Sequence, residues 1–367
     1  MNKSKRIKKV EVEVKVHDKS KDRIVSAKIL TIASAIFVLI LVGALIFDQL
    51  YTSTILKVDG KNYSLKDLSY YFYTVEYQYN YYDQMFGGNG TYWDMSADAS
   101  GKTIRDTAKQ EAIDTALYTE VLYKEAVSEG YALTDEETTK VGEDADNMLK
   151  NLSAESIANG HFTKENLIAS LSKTNLVSRY RQDKVDALNI DDAGITAGIS
   201  RDQYRQYDVE YLFASKTTTD ADGKSIEMTA DEKAKAKDAL TTYYDKAKTT
   251  DDWSKLLPED EKLVSYRSDN FIESDTTFDD TFKAKIMTME NGAISEIYEA
   301  DNGYYVLKMV NNNSSESYDK AVKDAISKAE NEEFNKVYEE ILAKHTYKIN
   351  QAALKPLTMG SIVLGSK

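Results

Sequence analysis

The spacing of apolar residues changes three times along the chain, and each change predicts a different kind of element. The first pattern is an uninterrupted run, because the nineteen residues between Lys28 and Asp48 carry no charge. At about 1.5 Å per residue, a helix of this length matches the ~30 Å hydrocarbon core of a bilayer. Basic residues precede the run and an acidic residue follows it. The pattern therefore predicts a basic cytoplasmic tail over 1–28, a single transmembrane anchor over 29–47 and an extracytoplasmic remainder.

A cleaved signal peptide is the alternative interpretation of this run, because an apolar segment behind basic residues also directs secretion. The basic segment is long for a signal peptide, and no small-x-small cleavage site follows Phe47. We therefore prefer an uncleaved anchor.

The second pattern is helical and extends over 51–199. It opens with Asp59-Gly60 between β-forming residues, which predicts a hairpin. Ser64 with Asp67, and Thr134 with Glu137, place a capping residue three positions before an acidic one, which predicts the beginnings of two helices. A helix predicted between them, from Thr103 to Glu129, has one apolar face, formed by Ile113, Leu117, Val121, Leu122 and Ala126.

The third pattern begins near residue 200 and favours strands. Tyr207–Ser215 and Gly303–Val310 are rich in aromatic and β-branched residues, which predicts two strands of one sheet. Between them, Thr229 and Glu232 predict the beginning of a helix. The segment 200–312 is therefore predicted to be a compact α+β domain.

Helical spacing returns after this domain. Tyr318–His345 is predicted to be a long helix and Thr346–Asn350 a final strand. Neither has a partner nearby in sequence, so we expect both to pack onto the first helical segment, with the strand pairing against Ile55–Val58. The predicted fold is of the α+β class and consists of a helical module over 51–199 and 313–350, the inserted domain over 200–312, and a C-terminal tail over 351–367.

One predicted helix is unusually rich in tyrosine, with seven tyrosines between Tyr70 and Tyr82. This number exceeds what one buried stripe requires. Tyrosine combines a large apolar face with a polar tip, so an exposed excess is suited to gripping unfolded polypeptide. Tyr73 and Tyr77 are candidate peptide-binding residues. The alternative is a helix packed between neighbours with some tyrosines at its rim.

Composition argues against several kinds of chemistry. The net charge of −14 disfavours nucleic-acid binding, and the absence of cysteine excludes disulfides and thiolate chemistry. The three histidines, His17, His161 and His345, are not spaced as metal ligands or as members of a catalytic triad. Gly101–Thr103 and Asp220–Gly223 match only fragments of phosphate and calcium loops. The sequence therefore predicts neither a metal site nor a cofactor.

A more specific signal lies over residues 278–308. It consists of aromatic and apolar positions around a turn and a Gly-Tyr strand, at Phe278, Phe282, Met287, Met289, Gly292, Ser295, Gly303, Tyr304, Val306, Leu307 and Lys308. Together with Tyr207–Ser215, these positions resemble the parvulin-type (rotamase) prolyl isomerase domain. That family places one histidine on each of two central strands, where this chain has Tyr211 and Tyr305. The family's acidic or cysteine pocket residue falls in the segment Leu256–Tyr266, which lacks the family's glycine pattern and in which Asp260 is a candidate.

The resemblance implies a proline-sized apolar hollow formed by Phe278, Phe282 and Met287, which are candidate peptide-binding residues. Replacement of both histidines by Tyr211 and Tyr305 removes the hydrogen-bonded pair that orients the family's site. We therefore expect a parvulin-like domain that lacks efficient catalysis, with an active peptidyl-prolyl cis-trans isomerase as the alternative.

The wider order of motifs resembles the SurA/PrsA-type extracytoplasmic foldases: the hairpin VDGKNYS, the helix end EGYALTDEE, an inserted isomerase-like domain, and a returning helix and strand. Together with the predicted anchor, the tyrosine-rich helix and the missing histidines, this resemblance predicts a membrane-anchored extracytoplasmic chaperone that binds unfolded or newly translocated polypeptides without a cofactor. The acidity of the extracytoplasmic part and its lack of cysteine favour a Gram-positive bacterial surface. A surface scaffold or adhesin is a further alternative. The sequence leaves open whether the chain is a monomer or a homodimer.

Overall fold

Residues 52–364 are described by the structure, a computed structural model of the chain. The predicted cytoplasmic tail and transmembrane anchor, 1–47, lie outside these residues. Within 52–364, no helix is both long enough and apolar enough to cross a bilayer. The described residues divide into two compact units, one formed by 52–184 with 337–364 and the other by Val185–Lys336.

The first unit begins with the predicted hairpin, followed by helices. Ser64 ends the hairpin, and its backbone N–H donates to the carboxylate of Asp67 at 2.8 Å, as the capping pattern predicts. Thr134 and Glu137 cap a later helix in the same way. The elements are β1 (Thr54–Val58), β2 (Lys61–Ser64), α1 (Leu65–Met85), α2 (Ile104–Ser128), α3 (Asp135–Asn151), α4 (Ala154–Gly160) and α5 (Lys164–Asp186).

The second unit contains the predicted strand-rich segment. Its strands are β3 (Gln206–Ser215), β4 (Thr217–Thr219), β5 (Ser225–Glu227), β6 (Ser265–Phe271), β7 (Tyr298–Glu299) and β8 (Gly303–Ser314). Its helices are α6 (Asp192–Ala197), α7 (Ala230–Ala247) and α8 (Asp280–Ile286). Four strands form an antiparallel sheet in the order β6-β3-β8-β7, and β4 pairs with β5 in a separate hairpin.

Each face of the four-stranded sheet carries its own core, because successive side chains of a strand point to opposite faces. Leu212 and Val306 pack with α7 on one face. Tyr211 and Leu307, their neighbours in sequence, pack on the other face with an aromatic cluster that includes Phe278 and Phe282. Tyr211, Phe278, Phe282 and Tyr305, four of the residues in which the chain resembles a parvulin pocket, therefore lie on the face opposite α7.

The chain then returns to the first unit through α9 (Glu316–Leu342), β9 (Tyr347–Ile349) and α10 (Gln351–Leu354). Strand β9 pairs antiparallel with β1, with Leu56 opposite Ile349, and the sheet order is β2-β1-β9. The predicted pairing of the final strand with the N-terminal hairpin is confirmed.

Asp59, in the hairpin turn, hydrogen-bonds to the segment between α9 and β9. Its carboxylate accepts a hydrogen bond from the Thr346 backbone N–H at 2.8 Å and lies 2.7 Å from His345 Nδ1 and 3.2 Å from Lys124 Nζ. Burial raises the pKa of Asp59, but these hydrogen bonds and the lysine outweigh it and hold the pKa well below its usual range. One acidic turn residue thus connects both ends of the unit.

The segment 351–364, which the sequence pattern leaves as a tail, packs within the first unit. Leu354, Met359 and Ile362 are buried. The buried carboxylate of Glu76, on α1, accepts hydrogen bonds from the backbone N–H groups of Ile362 and Val363 at 2.8 and 3.1 Å. Burial raises the pKa of Glu76 to about 7, despite these backbone donors, which lower it.

The raised pKa of Glu76 predicts a pH dependence of stability. Because the folded chain keeps this proton at a higher pH than the unfolded chain does, the contribution of Glu76 falls as the pH rises from roughly 4 to roughly 8, by about 3 kcal/mol. Glu76→Gln keeps an oxygen that accepts both hydrogen bonds but cannot titrate. We expect the free energy of unfolding of the parent, relative to this variant, to decline over that range. A constant difference would contradict the assignment.

Candidate functional sites

The C-terminal half of α1 presents a cluster of exposed large apolar side chains. They are 43% to 69% exposed. They form two adjacent rows along the helix and its end, and within each row successive side chains are four residues apart. We call them the exposed aromatic surface, and they are Tyr77, Tyr81, Tyr82, Met85 and Phe86.

The loop after α1 supports this surface. Asp83 is fully buried, and its carboxylate accepts hydrogen bonds from the backbone N–H groups of Gly90 and Tyr92 at 3.0 and 3.2 Å. The Tyr92 ring stacks on Phe86 at 5.3 Å between centroids and lies 6.1 Å from the Tyr82 ring. A buried carboxylate therefore folds the loop against the helix end and fixes the aromatic side chains there.

The tyrosine-rich helix contains both packed and exposed tyrosines. Tyr71 is buried, and the Tyr79 hydroxyl donates to Glu111 at 2.9 Å, so these tyrosines pack between neighbours. Tyr73 is half-buried, with its ring 5.6 Å from that of Phe162. Tyr77, by contrast, is 65% exposed. Tyr81, Tyr82, Met85 and Phe86 were not among the predicted residues, although Tyr81 and Met85 continue the row of Tyr77 at i+4 and i+8.

The second unit contains a cavity of about 630 Å³ on the sheet face opposite α7. We call it the cleft. Twelve residues line it: Thr276, Thr277, Phe278, Asp279, Asp280, Phe282, Tyr298, Glu299, Ala300, Asp301, Asn302 and Tyr305. Three of the predicted residues, Phe278, Phe282 and Tyr305, are therefore brought together here.

The two tyrosines at the histidine positions lie side by side, with ring centroids 5.7 Å apart. Both are buried, and burial raises the pKa of each hydroxyl. Their hydroxyls have separate partners. Tyr305 exchanges hydrogen bonds with the Asn302 side chain at 2.9 and 3.2 Å, and Tyr211 hydrogen-bonds to Arg267. The two rings pack side by side and form the floor of the cleft. Of the two, only Tyr305 is among the residues that line the cleft.

Two further aromatic residues, Phe282 and Tyr298, form one side of the cleft, and we call them the aromatic wall. The rings of Phe282 and Tyr298 stack at 4.1 Å between centroids with an interplanar angle of 2°. The Tyr298 hydroxyl donates to the Asp279 carboxylate at 2.9 Å, and the same carboxylate accepts from the Phe282 backbone N–H. Asp279 thus caps the N-terminus of α8 and fixes the position of the Tyr298 ring beside Phe282.

Two predicted site residues lie away from the cleft. Met287, at the end of α8, lines a different cavity of about 470 Å³ with Tyr207 and Lys283. Asp260 is exposed on a loop, and its charge acts on Tyr243, which packs on the α7 face of the sheet. Neither residue lines the cleft at which Tyr305 lies.

The charged side chains that line the cleft are all acidic. Asp279, Asp280, Glu299 and Asp301 contribute four carboxylates, which when ionised only accept hydrogen bonds. Within residues 52–364, no group of three histidine or acidic side chains is arranged to hold a metal ion. The arrangement suits binding of an apolar or cationic group.

No protein-family model matches the chain, and no curated protein matches it in sequence. Solved structures do match. One comes from the work on PEB4 and Cj1289, SurA-like chaperones of Campylobacter jejuni, with 10% identity over 82% of this chain and 100% of that one, at a TM-score of 0.32. Others are the foldase PrsA of Streptococcus pneumoniae (18% identity, 68% and 84% coverage, TM-score 0.26) and PrsA of Bacillus subtilis (13%, 65% and 84%, 0.23).

These matched structures are of the same kind, SurA-like and PrsA, as the sequence resemblance names. At such identities and scores the matches carry no information about activity, which rests on the geometry of the surface and the cleft.

Proposed function

We propose that the chain is a membrane-anchored extracytoplasmic chaperone that holds unfolded or newly translocated polypeptides on the exposed aromatic surface. The predicted anchor over 29–47 would keep it at the membrane, with the N-terminus cytoplasmic and the remainder outside. Holding a client needs neither a cofactor nor a nucleophile. The parvulin-like domain would contribute binding and little catalysis.

The observation that carries this proposal is the exposure of five large apolar side chains within ten residues of α1 and its end. Soluble proteins rarely leave a contiguous apolar patch exposed without using it for binding. Tyr77, Tyr81 and Tyr82 offer flat apolar faces with hydroxyls that tolerate water, so the surface suits many sequences rather than one. The buried Asp83 keeps the surface ordered before a client arrives, which reduces the entropy lost on binding.

The proposal is tested by the aggregation of unfolded clients in the presence of the full-length chain in lipid nanodiscs, where no detergent covers its apolar surface. We expect light scattering from several unrelated clients to fall at near-equimolar chaperone. Absence of protection for every client would contradict the proposal. Tight binding to one folded partner, with no preference for unfolded chains, would instead assign a scaffold or adhesin.

A second candidate function is prolyl isomerisation, favoured by the position of the cleft beside Tyr305 and the aromatic floor. The reaction needs no nucleophile, but it must stabilise a twisted amide against a barrier of ~18 to 20 kcal/mol. Oriented hydrogen-bond donors do this. The charged side chains lining the cleft are all carboxylates, and the Tyr305 hydroxyl already pairs with Asn302.

We therefore predict that the full-length chain changes the rate of cis-trans relaxation in an X-Pro peptide by no more than about 2-fold, measured with a protease-coupled assay. Uncatalysed relaxation takes tens to hundreds of seconds, so even modest catalysis is visible. An enhancement of about 10-fold or more would contradict this prediction. Loss of that enhancement in Tyr305→Phe would then assign the tyrosine as a donor.

A further inference from the structure

The cleft is lined by negative charge, which binding of apolar polypeptide segments does not require. Four of its twelve described lining residues are acidic, and none of the twelve carries a cationic side chain. Its aromatic residues, Phe278, Phe282, Tyr298 and Tyr305, form one continuous floor and wall beneath these carboxylates. The cavity, at about 630 Å³, falls within the size range of ligand-binding pockets.

The carboxylates differ in how far the protein already satisfies them. Asp279 caps α8 and accepts from Tyr298, and Glu299 pairs with Lys216 at 3.0 Å and Lys237 at 3.4 Å. The Asp280 side chain is 97% exposed, and one of its carboxylate oxygens lies 3.1 Å from Lys283 Nζ, which leaves the other facing solvent. Asp301 is exposed on the β7–β8 connection, near enough to Tyr298 to act on its pKa. Asp280 and Asp301 thus form an acidic rim with capacity for a further cation.

The aromatic wall already holds one cation. Lys285 Nζ lies 5.1 Å from the centroid of the Tyr298 ring, while Phe282 stacks against that ring. An ammonium or guanidinium within about 6 Å of an aromatic ring is attracted by the negative face of the π system. Another cation near the floor, Arg267, hydrogen-bonds to Tyr211 and lies over the Phe213 ring. Neither Lys285 nor Arg267 lines the cleft.

We propose that the cleft binds a lysine or arginine side chain of an extended polypeptide segment. The charged head of that side chain would reach the rim formed by Asp280 and Asp301, and its apolar stem would lie along the accessible edges of the aromatic residues that line the cleft. This inference deepens the proposed function, on which it rests for the source of the segment. It assigns to the second unit a preference for basic stretches of the client.

The test uses the full-length chain in nanodiscs and three labelled nonapeptides, measured by fluorescence anisotropy at low salt. The first is Gly-Ser-Ala-Lys-Phe-Lys-Ala-Ser-Gly, and the others have both lysines replaced by glutamate or by norleucine. We expect the lysine peptide to bind at least about 10-fold more tightly than the glutamate peptide, with an affinity that falls as salt is added. Equal affinities for the lysine and glutamate peptides would overturn the inference.

The rim is tested by the double variant Asp280→Asn with Asp301→Asn, which we expect to weaken lysine-peptide binding about 5-fold. The matched control is Glu259→Gln with Asp260→Asn. This pair removes the same charge from an exposed loop that does not line the cleft, so binding should stay within about 2-fold. Equal weakening in both variants would mean that net charge alone attracts the peptide, and would overturn the assignment to the cleft.

Aggregation assays on the same samples separate this inference from the proposed function. The rim variant should protect clients as well as the parent does, because the exposed aromatic surface is unchanged. Loss of the peptide preference with protection intact overturns the cleft assignment alone. Absence of protection in the parent, with the peptide preference intact, overturns the chaperone proposal and leaves the cleft assignment standing.

Discussion

Replacing Tyr77, Tyr81 and Met85 together by serine is expected to remove most of the aggregation suppression, so that at least about 10-fold more protein is needed for half protection. Each side chain is at least 65% exposed, and burying a large apolar side chain against a client contributes about 1.5 to 3 kcal/mol. Partial loss of three such contacts exceeds the free energy that corresponds to a tenfold change. The measurement is a titration of the variant against an aggregating client.

The control for this prediction is the triple variant Ile226→Ser, Leu263→Ser, Val310→Ser. These side chains are 41% to 45% exposed on the second unit, so the variant removes apolar surface outside the proposed client site. We expect its protection to match that of the parent. Equal losses in both triple variants would show that total apolar exposure, rather than the α1 surface, determines protection.

Phe282→Ala is expected to destabilise the second unit by about 3 to 5 kcal/mol, the usual cost of truncating a buried phenylalanine. Phe282 is 2% exposed and its ring contacts those of Phe278, Tyr298 and Tyr305, so its loss leaves a void under the aromatic wall. The measurement is urea unfolding in a Trp93→Phe background, where Trp253 is the remaining tryptophan and reports on this unit.

Leu263→Ala in the same background provides the comparison, because it truncates an apolar side chain of the same unit that is 41% exposed. We expect it to leave the transition within about 0.5 kcal/mol of the parent. An effect of Phe282→Ala as small as that of Leu263→Ala would contradict the close packing of the aromatic wall.

The sequence predicts most of the fold where local signals and hydrophobic pattern agree. Asp59-Gly60 specifies the hairpin turn, and the Thr346–Asn350 strand, which has no partner nearby in sequence, is predicted to pair against Ile55–Val58. The structure accordingly places Ile349 opposite Leu56. Capping residues likewise predict the beginnings of α1 and α3, because a side chain that satisfies the first backbone N–H groups acts within three residues.

The sequence does not predict contacts that depend on tertiary packing. No local pattern indicates that Glu76 would hold Ile362 and Val363 from the other end of the chain. The direction of Met287 depends on how α8 rotates against the sheet, and that of Asp260 on a loop without periodicity. Resemblance to a family aligns such residues in sequence but does not determine which cavity they face.

Gly303 illustrates the same limit at one position. The Asn-Gly pair predicts a turn, yet glycine is required there because a Cβ atom would lie 2.3 Å from the Phe213 ring. The ring of Phe213 packs 4.7 Å from that of Tyr305, so the glycine makes room for the floor of the cleft. Glycine is needed at position 303 because Phe213, which is distant in sequence, packs against it, and no local sequence pattern indicates that contact.

Photo-crosslinking tests the central claim, that unfolded polypeptide is held on the exposed aromatic surface. The full-length chain in nanodiscs would carry p-benzoylphenylalanine in place of Tyr81, or in place of Leu263 as the control at an exposed apolar position of the second unit. An unfolded client is predicted to crosslink strongly at the first position and weakly at the second, and its folded form at neither. Equal crosslinking of the unfolded client at both positions, or none at the position of Tyr81, would contradict the account.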